Sequence, residues 1–372
     1  MKIYINALSA RLGGGQTYLI NLLKYLPKRD DCEYVVYCPS SLELPNEKNV
    51  VKISLGVVGD NFIMRSLWEL FVLPFVLGRE NADLLFCPGG LLISKVPKNC
   101  KTVTMFRNMI PFDNHVKKNI RSGFQKFRNL LLYHAMLYSM KNADLTIFIS
   151  IYARNIIERI IGVKKAVTIP HGINDSFRSP KKPSSDIANL KKYLLYVSRF
   201  DVYKHHYEVI KGYSLLPENL RKKHKLVIIG ETGSDEYQRC KELIENQNIQ
   251  DDVLILGAIP YDDLPAYYQN AHINLFASSC ENCPNILLEA LAAGRPVLSS
   301  NVQPMPEFAE SSVVYFSPYD PASINESLLS ILEDDELISR LGVKAMKQSQ
   351  KYSWETCAER TWNELFRLIE QT

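Results

Sequence analysis

Short runs of apolar residues alternate along the chain with longer stretches in which apolar positions recur every three or four residues. Such runs are typical of buried parallel strands, whereas the longer spacing is typical of amphipathic helices. Strands are predicted near Lys2–Asn6, Tyr34–Cys38, Val50–Ile53, Leu84–Cys87, Thr102–Met105, Leu145–Ile149, Val167–Ile169, Tyr193–Val197, Leu226–Ile229, Val253–Leu256, Ile273–Phe276, Val297–Ser300 and Val313–Phe316. Helices are predicted near Thr17–Leu26, Met64–Leu77, Lys117–Lys141, Tyr152–Ile161 and Trp354–Glu370. This alternation predicts an α/β protein with parallel sheets.

A polar, proline-rich stretch, Ser179–Ser185, interrupts the alternation and is the best candidate for a linker. Because strands and helices alternate on both sides of it, the sequence predicts two doubly wound, Rossmann-like domains. We place the first domain at residues 1–178 and the second at residues 179–352. With 372 residues, the chain is long enough for each domain to bury a core of its own.

The composition is ordinary for a globular protein, with 46% apolar and 23% charged residues. The net charge of +4 implies no polyanionic partner, so nucleic acid is not expected. The chain opens on a predicted strand rather than on a signal peptide, and its most apolar window, Leu67–Leu77, is too short to span a bilayer. We therefore expect a cytoplasmic protein with reduced thiols. Cys280 and Cys283 form a C-x2-C motif without a second pair, so no metal is expected there.

The stretch from Glu281 to Gly294 carries the clearest candidate chemistry. Pro284 is tolerated in the first turn of a helix but disfavours helix in the residues before it. Glu281 is therefore expected on the loop that enters a helix, with Glu289 about two turns deeper. Because the predicted strand Ile273–Phe276 precedes this loop, the loop lies beyond the carboxyl end of a parallel strand. Open α/β sheets bind their ligands at that end.

Two carboxylates beside a helix N-terminus suit a ligand of a particular layout. Main-chain N–H groups at a helix N-terminus bind phosphate, and carboxylates accept hydrogen bonds from hydroxyls. A ligand with hydroxyls at both ends and phosphates in the middle fits this arrangement, and a nucleotide-sugar has that layout. The spacing alone leaves open the alternative that both glutamates belong to an ordinary amphipathic helix.

Small and apolar residues accompany the two glutamates, namely Ala290, Ala292, Gly294, Pro296 and Val297. With them, the E-x7-E segment resembles the signature of the GT4 family of retaining glycosyltransferases, the glycosyl transferases group 1. The resemblance covers most of the chain and is stronger in its second half. It implies the GT-B fold, in which two Rossmann-like domains face each other across a cleft. A C-terminal helix, here within residues 353–372, would pack back on the first domain.

The resemblance implies a nucleotide-diphosphate-sugar donor, linked to UDP or GDP, and neither a metal nor another cofactor. Arg199 and Lys204 match the pair that binds the donor pyrophosphate, one as a planar fork and the other as a point charge. Together with Glu281, which would face the sugar, they form the expected catalytic set. Glu289 would hold the ribose. The other donor-binding candidates in the second domain are Gly230, Ile259, Asn282, Cys283, Pro284, Asn285 and Leu287.

In the first domain, three glycines follow the first predicted strand within Leu12–Thr17 and open a helix. Their main chain can approach an anion closely. The spacing is not G-x-G-x-x-G, which counts against a nicotinamide-dependent dehydrogenase. The resemblance places Gly14 and Gly15 at the donor phosphates.

The chain departs from the family pattern in two places. Relatives often carry Gly-Phe-Gly after the first glutamate, where this chain has Asn282–Pro284. Many also carry a histidine where this chain has Arg107, followed by Asn108. Because arginine cannot act as a base, Arg107 and Asn108 are expected on the acceptor side in an electrostatic or positional role.

As a function, the resemblance implies retaining transfer of a sugar to a growing, lipid-linked bacterial cell-surface glycan, such as O-antigen, capsule or lipopolysaccharide. One alternative is a nucleotide-sugar epimerase of similar fold, which would convert the donor without an acceptor. A second is a non-catalytic subunit that binds sugar nucleotides.

Two segments predict peripheral contact with the anionic inner face of the cytoplasmic membrane. The stretch Phe62–Phe71 is apolar and aromatic, and a basic cluster precedes the apolar run Leu130–Leu137. A basic amphipathic helix can lie in an anionic interface. The alternative is a packed helix with a solvated charged face. The cluster consists of Lys117, Lys118, Arg121, Lys126 and Arg128.

Overall fold

The computed structural model of the chain describes residues 1–11, 13–119, 123–190 and 192–371. It divides into two compact units. The first contains Met1–Gly172 together with Ser353–Thr372, and the second contains Ile173–Tyr352. The first boundary thus falls after Gly172, whereas the sequence placed it after residue 178.

The first unit is built on a seven-stranded sheet whose neighbouring strands all pair in parallel. Its strands are β1 Lys2–Asn6, β2 Glu33–Tyr37, β3 Val50–Ile53, β4 Leu84–Cys87, β5 Lys101–Phe106, β6 Leu145–Phe148 and β7 Ala166–Thr168. The order β3-β2-β1-β4-β5-β6-β7 reverses direction at β1 and β4. In a doubly wound sheet, such a reversal opens a crevice at the carboxyl ends of the strands.

The helices of the first unit that precede the second unit are α1 Gly14–Lys24, α2 Val57–Asp60, α3 Phe62–Leu67, α4 Leu73–Arg79, α5 Asn114–Asn119, α6 Gly123–Asn142 and α7 Ile151–Glu158. A π-helical turn, Trp68–Val72, joins α3 to α4 where the sequence predicted one regular helix. Leu73 and Leu77 of α4 are fully buried and pack into a core cluster that includes Tyr4, Tyr37 and Leu85.

The second unit is built on a six-stranded parallel sheet. Its strands, in the sheet order β10-β9-β8-β11-β12-β13, are numbered along the chain as β8 Tyr193–Val197, β9 Lys225–Ile229, β10 Val253–Gly257, β11 Ile273–Phe276, β12 Val297–Ser300 and β13 Val314–Phe316. Its helices are α8 His206–Ser214, α9 Glu218–Lys223, α10 Asp235–Asn246, α11 Leu264–Asn270, α12 Asn285–Ala292, α13 Met305–Ala309, α14 Pro321–Leu332 and α15 Asp335–Ser349.

A last helix, α16 Trp354–Glu370, belongs to the first unit. Trp362 is fully buried, donates its indole N–H to the carbonyl of Leu22 at 2.9 Å, and packs edge-on against Tyr34 at 5.1 Å between ring centroids. At Gly172 a Cβ atom would lie 2.0 Å from the main-chain nitrogen of Trp354, so only glycine fits where the chain passes the start of α16. This helix therefore completes the core of the first unit.

Within the described residues, no helix is both long enough and apolar enough to cross a membrane.

Candidate functional site

The loop between β11 and α12 carries the two glutamates at the positions that the sequence predicts. Glu281 lies on the loop, α12 begins at Asn285, and Glu289 lies within this helix. Pro284 occupies the N-cap position, and no side chain of the described residues caps the helix. The first turn of α12 therefore offers main-chain N–H groups to a ligand at the carboxyl edge of the sheet.

Lys204 and Glu281, which are far apart in sequence, meet in an ion pair. The Lys204 ammonium donates to the Glu281 carboxylate, and their side chains are only 9% and 17% exposed. Lys204 ends a short 3₁₀ turn after β8, and its main-chain oxygen accepts a hydrogen bond from the Tyr196 hydroxyl. A phosphate that reaches Lys204 must therefore share it with a carboxylate, which the sequence did not indicate.

The two loops that supply this pair are fastened to each other. Ser279 donates its main-chain N–H to the carbonyl of Tyr203 at 2.9 Å. The His205 Nε2 atom and the Ser279 hydroxyl are hydrogen-bonded at 2.8 Å, with His205 in a left-handed conformation at φ 56°. These bonds hold Lys204 and Glu281 in place before any ligand binds, which is how a preorganised site lowers the cost of binding.

Arg199 lies at the exposed rim of the same edge. Its side chain is 65% exposed and donates to the Asp201 carboxylate at 2.9 Å. That carboxylate raises the pKa of Arg199 above its usual value. Because an exposed ion pair contributes little free energy, Arg199 can leave Asp201 to bind an anion at small cost.

Glu289 is a buried carboxyl whose Oε1 atom accepts a hydrogen bond from the Tyr261 hydroxyl at 2.9 Å. Burial raises the pKa of Glu289 to about 8, although the bond from Tyr261 acts in the opposite direction. Without a ligand, Glu289 thus holds a proton at neutral pH. Hydroxyl groups of a ligand could supply the hydrogen bonds that favour the carboxylate.

Tyr261 is a site residue that sequence reasoning missed. The nearest residue that the sequence placed at the donor was Ile259, two positions before it. The following Asp262–Pro265 is typical of a helix start, and this pattern hides a side chain that turns back toward α12. A tyrosine between a proline and two aspartates was the available signal.

The other residues of the second unit that the sequence placed at the donor differ in their burial and their neighbours. A Cβ atom at Gly230 would lie 1.9 Å from the carbonyl oxygen of Ser198, so this glycine lets the ends of β8 and β9 approach each other beside Arg199. Ile259 is half-buried and borders a pocket that Lys181 and Lys182 also line. Asn285 is half-buried. The other predicted residues of this loop and helix are buried, namely Asn282, Cys283, Pro284 and Leu287.

In the first unit, the glycine-rich loop and Arg107 come together. Gly14 is the first residue of α1, and a Cβ atom at Gly15 would lie 3.6 Å from an Arg107 guanidinium nitrogen. A cation therefore lies beside the first turn of α1, at the carboxyl edge of β1 and β5. Asn108 is exposed, and its side chain accepts a hydrogen bond from the N–H of Ile110 at 3.1 Å. Leu12 lies outside the described residues.

The described part of the chain contains no group of three His, Cys, Asp or Glu side chains placed to hold a metal ion. Cys280 and Cys283 are both buried.

Two family models match consecutive parts of the chain. The model described as Glycosyltransferase Family 4 matches residues 12–177, and the model described as Glycosyl transferases group 1 matches residues 177–348. The chain belongs to the GT4 glycosyltransferases. This confirms the family predicted from the E-x7-E segment.

Relatives of this GT4 chain include the O-antigen chain mannosyltransferase B of Escherichia coli, which is 26% identical over 60% of the chain and 61% of that protein. The chain spans less than two thirds of the length of the first curated relatives that it matches.

Solved structures similar to this GT4 chain confirm the predicted GT-B fold. Sucrose-phosphate synthase from Thermosynechococcus elongatus matches with a TM-score of 0.78 and 20% identity, with all of both chains covered. The Anabaena protein HepE, solved with UDP-glucose, matches with a TM-score of 0.71 and 16% identity over 99% of this chain and all of that one. At these identities the likeness shows the fold alone.

Proposed function

We propose that this GT4 chain is a retaining, metal-independent glycosyltransferase that extends a lipid-linked bacterial cell-surface glycan from a nucleotide-diphosphate-sugar. The observation that carries the proposal is the largely enclosed Lys204–Glu281 pair beside the N-terminus of α12, with the buried carboxyl of Glu289 in the same helix. A cation, the main-chain N–H groups of the first turn of α12 and two carboxyls match the phosphates and hydroxyls of such a donor. The O-antigen mannosyltransferase among the relatives supports the glycan acceptor.

The chemistry asks for charge stabilisation rather than for a protein nucleophile. As the bond between the sugar C1 and the phosphate oxygen breaks, the electron pair stays on the diphosphate. Lys204, Arg199 and the N–H groups of α12 would stabilise that charge, which is the role that a metal has in other transferases. Glu281 would bind the sugar hydroxyls and stabilise positive charge that develops on the sugar. The acceptor hydroxyl forms the new bond to C1 from the same face, and its proton passes to the departing diphosphate.

The two alternative functions are not favoured. An epimerase would need acid–base residues around the sugar and would act without an acceptor. The curated relatives include mannosyltransferases, which supports transfer to an acceptor instead. The same mannosyltransferases also count against a non-catalytic subunit.

The direct test is a transfer assay with GDP-mannose, UDP-glucose and UDP-N-acetylglucosamine as donors and a panel of octyl glycosides as acceptors. We expect one donor to yield an α-linked product by proton NMR, at an unchanged rate in EDTA. A β-linked product would overturn retention. Activity lost in EDTA and restored by magnesium would overturn metal independence. An epimerised donor without any glycoside would favour the epimerase.

The proposal includes contact with the anionic inner face of the cytoplasmic membrane. A soluble protein seldom exposes many large apolar side chains close together in sequence, yet two helical segments of the first unit do. In α3, the π turn and α4, the most exposed are Phe62 at 57%, Ile63 at 67%, Leu67 at 51%, Phe71 at 72% and Phe75 at 70%. In α6 they are Phe124 at 77%, Phe127 at 58%, and Leu130 and Leu131 at 54% each. Lys117, Lys118, Lys126 and Arg128 add positive charge, which would attract acidic lipids.

Reversing the charge of Lys117, Lys118 and Lys126 to Glu is expected to weaken binding to phosphatidylglycerol vesicles, measured by sedimentation, by about a hundredfold or more, because each basic residue near an acidic surface contributes about 1 kcal/mol. Added salt should weaken the binding of the wild type. The matched control reverses three exposed lysines of the second unit, Lys222, Lys241 and Lys351. An equal loss in both triple variants, or a wild type that ignores these vesicles at low salt, would contradict the membrane contact. Arg121 lies outside the described residues and is left unchanged.

A further inference from the structure

Glu69 is a buried carboxyl on a segment that otherwise exposes apolar side chains. It lies in the π turn Trp68–Val72 and is only 8% exposed, whereas its neighbours Leu70 and Phe71 are 42% and 72% exposed. Burying a charged group is costly unless it is paired, and π turns occur frequently at functional sites. The position of Glu69 therefore calls for a physical reason.

The contacts of Glu69 use one carboxylate oxygen and leave the other available. Asn6 donates its side-chain N–H to Oε1 at 2.9 Å. Among the described residues, no donor contacts Oε2, and Oε2 is not one of the fully enclosed polar atoms. Arg65, one turn earlier, donates instead to the carbonyl of Leu8 at 3.4 Å. Glu69 thus has a fixed orientation, one oxygen that reaches accessible space, and no ion pair within the described chain.

The surroundings of Glu69 place it at the ligand-binding edge of the first sheet. Asn6 is the last residue of β1, and Cys87 is the last residue of β4. Trp68, the residue before Glu69, packs against the core cluster that contains Cys87. Burial, followed by the charge of Glu69, raises the pKa of the Cys87 thiol well above its usual value. The strand order reverses at β1 and β4, where doubly wound sheets open a crevice for ligands.

The chemistry of this edge selects the kind of group that Glu69 can bind. A carboxyl repels phosphate and accepts a hydrogen bond from a hydroxyl. Burial raises the pKa of Glu69, although the bond from Asn6 and the charge of Arg65 act in the opposite direction. A hydroxyl donor at Oε2 would offset part of this cost of burial.

We propose that Glu69 binds a hydroxyl of the acceptor sugar through Oε2, and that Asn6 is a positioning residue that fixes the orientation of the carboxyl. The proposal rests on the glycosyltransferase function proposed above and names an acceptor-binding residue for it. It differs from a purely structural role, in which Glu69 would only tie the π turn to β1 through Asn6.

The test compares the wild type with Glu69→Gln, which keeps the size of the side chain and one hydrogen-bond acceptor. Its matched control is Glu80→Gln, which changes a partly exposed glutamate just after α4 that pairs with Arg79 and Lys2. The readouts are kcat and the acceptor KM in the transfer assay with octyl glycosides, donor hydrolysis without acceptor, and calorimetric affinity for GDP and UDP. We expect Glu69→Gln to raise the acceptor KM by about tenfold, as for the removal of a hydrogen bond to a charged group, with nucleotide affinity and donor hydrolysis unchanged. Glu80→Gln should behave as the wild type.

Two results would overturn the role of Glu69. One is a lower melting temperature with an unchanged acceptor KM, which is the behaviour of a structural residue. The other is an equal loss of acceptor and nucleotide affinity. If the wild type forms no glycoside with any donor, the proposed function fails separately. Saturation-transfer NMR with the same octyl glycosides then still decides the matter for Glu69. A glycoside signal that disappears in Glu69→Gln supports the role, and an equal signal in both proteins refutes it.

Discussion

Replacing Lys204 by Ala is expected to weaken nucleoside-diphosphate binding and to lower turnover by about tenfold or more. A hydrogen bond to a charged group contributes about 1.5–3 kcal/mol, and this bond would act on both the bound donor and the departing diphosphate. The substitution also leaves the half-buried Glu281 without its cation, which disfavours an incoming anion further. Calorimetry with GDP and UDP measures the binding, and the transfer assay measures the turnover. Lys211→Ala, an exposed lysine on α8, is the matched control.

A double substitution separates the two roles that Lys204 can have. If Lys204 only neutralises Glu281, then removing both side chains should restore nucleotide affinity, because no unpaired charge remains. If Lys204 binds phosphate, the loss should persist in Lys204→Ala combined with Glu281→Ala. Unchanged nucleotide affinity in Lys204→Ala itself would refute the assignment. Arg199→Ala should have a smaller effect, since Arg199 is exposed and is held only at the rim.

The second large effect separates the two glutamates. Glu281→Gln keeps the size of the side chain but removes the charge that would stabilise a developing cation on the sugar. It should lower turnover by about tenfold or more, as for the removal of a charged hydrogen-bonding group. Bare GDP or UDP should bind as well as before or more tightly, because Lys204 is released for phosphate. Glu289→Gln loses an acceptor for ribose hydroxyls, so the affinities for nucleotide and nucleotide-sugar should fall together.

The pH dependence of nucleotide binding gives the same experiment a second readout. The pKa of Glu289 is about 8 in the free protein, so binding that favours the carboxylate must release a proton at neutral pH. Wild-type affinity should therefore rise as the pH increases toward 8, and Glu289→Gln should remove that slope. Normal turnover in Glu281→Gln would contradict these roles. A larger loss of affinity for bare nucleotide in Glu281→Gln than in Glu289→Gln would contradict them as well.

Much of the fold could be predicted because buried parallel strands are continuous apolar runs. The strands β1, β3, β4, β8, β11 and β12 and the helix α16 have the bounds that their sequence patterns predict. The π turn could not be predicted in the same way. Nearly every residue from Leu67 to Leu77 is apolar, so the sequence shows no change of period at Trp68–Val72.

The site was predictable as a set of residues but not as a set of contacts. The positions of Glu281, Glu289 and Lys204 followed from the ends of strands and from a helix start. The pairing of Lys204 with Glu281 depends on β8 and β11 lying side by side in the sheet, and the spacing of residues along the chain does not encode that neighbourhood. Tyr261 on Glu289 is likewise a tertiary contact between groups that sequence alone treats as solvated. Asp201 lies only two residues after Arg199, and their pairing depends on the local turn after β8.

The position of α16 sets an order for folding during synthesis. A ribosome makes all of residues 173–352 after the seven strands of the first unit and before the helix that supplies Trp362. The second unit can therefore fold while the first still exposes the apolar surface around Tyr34 and Leu22. A chain stalled before Trp354 would present that surface to chaperones and to other nascent chains.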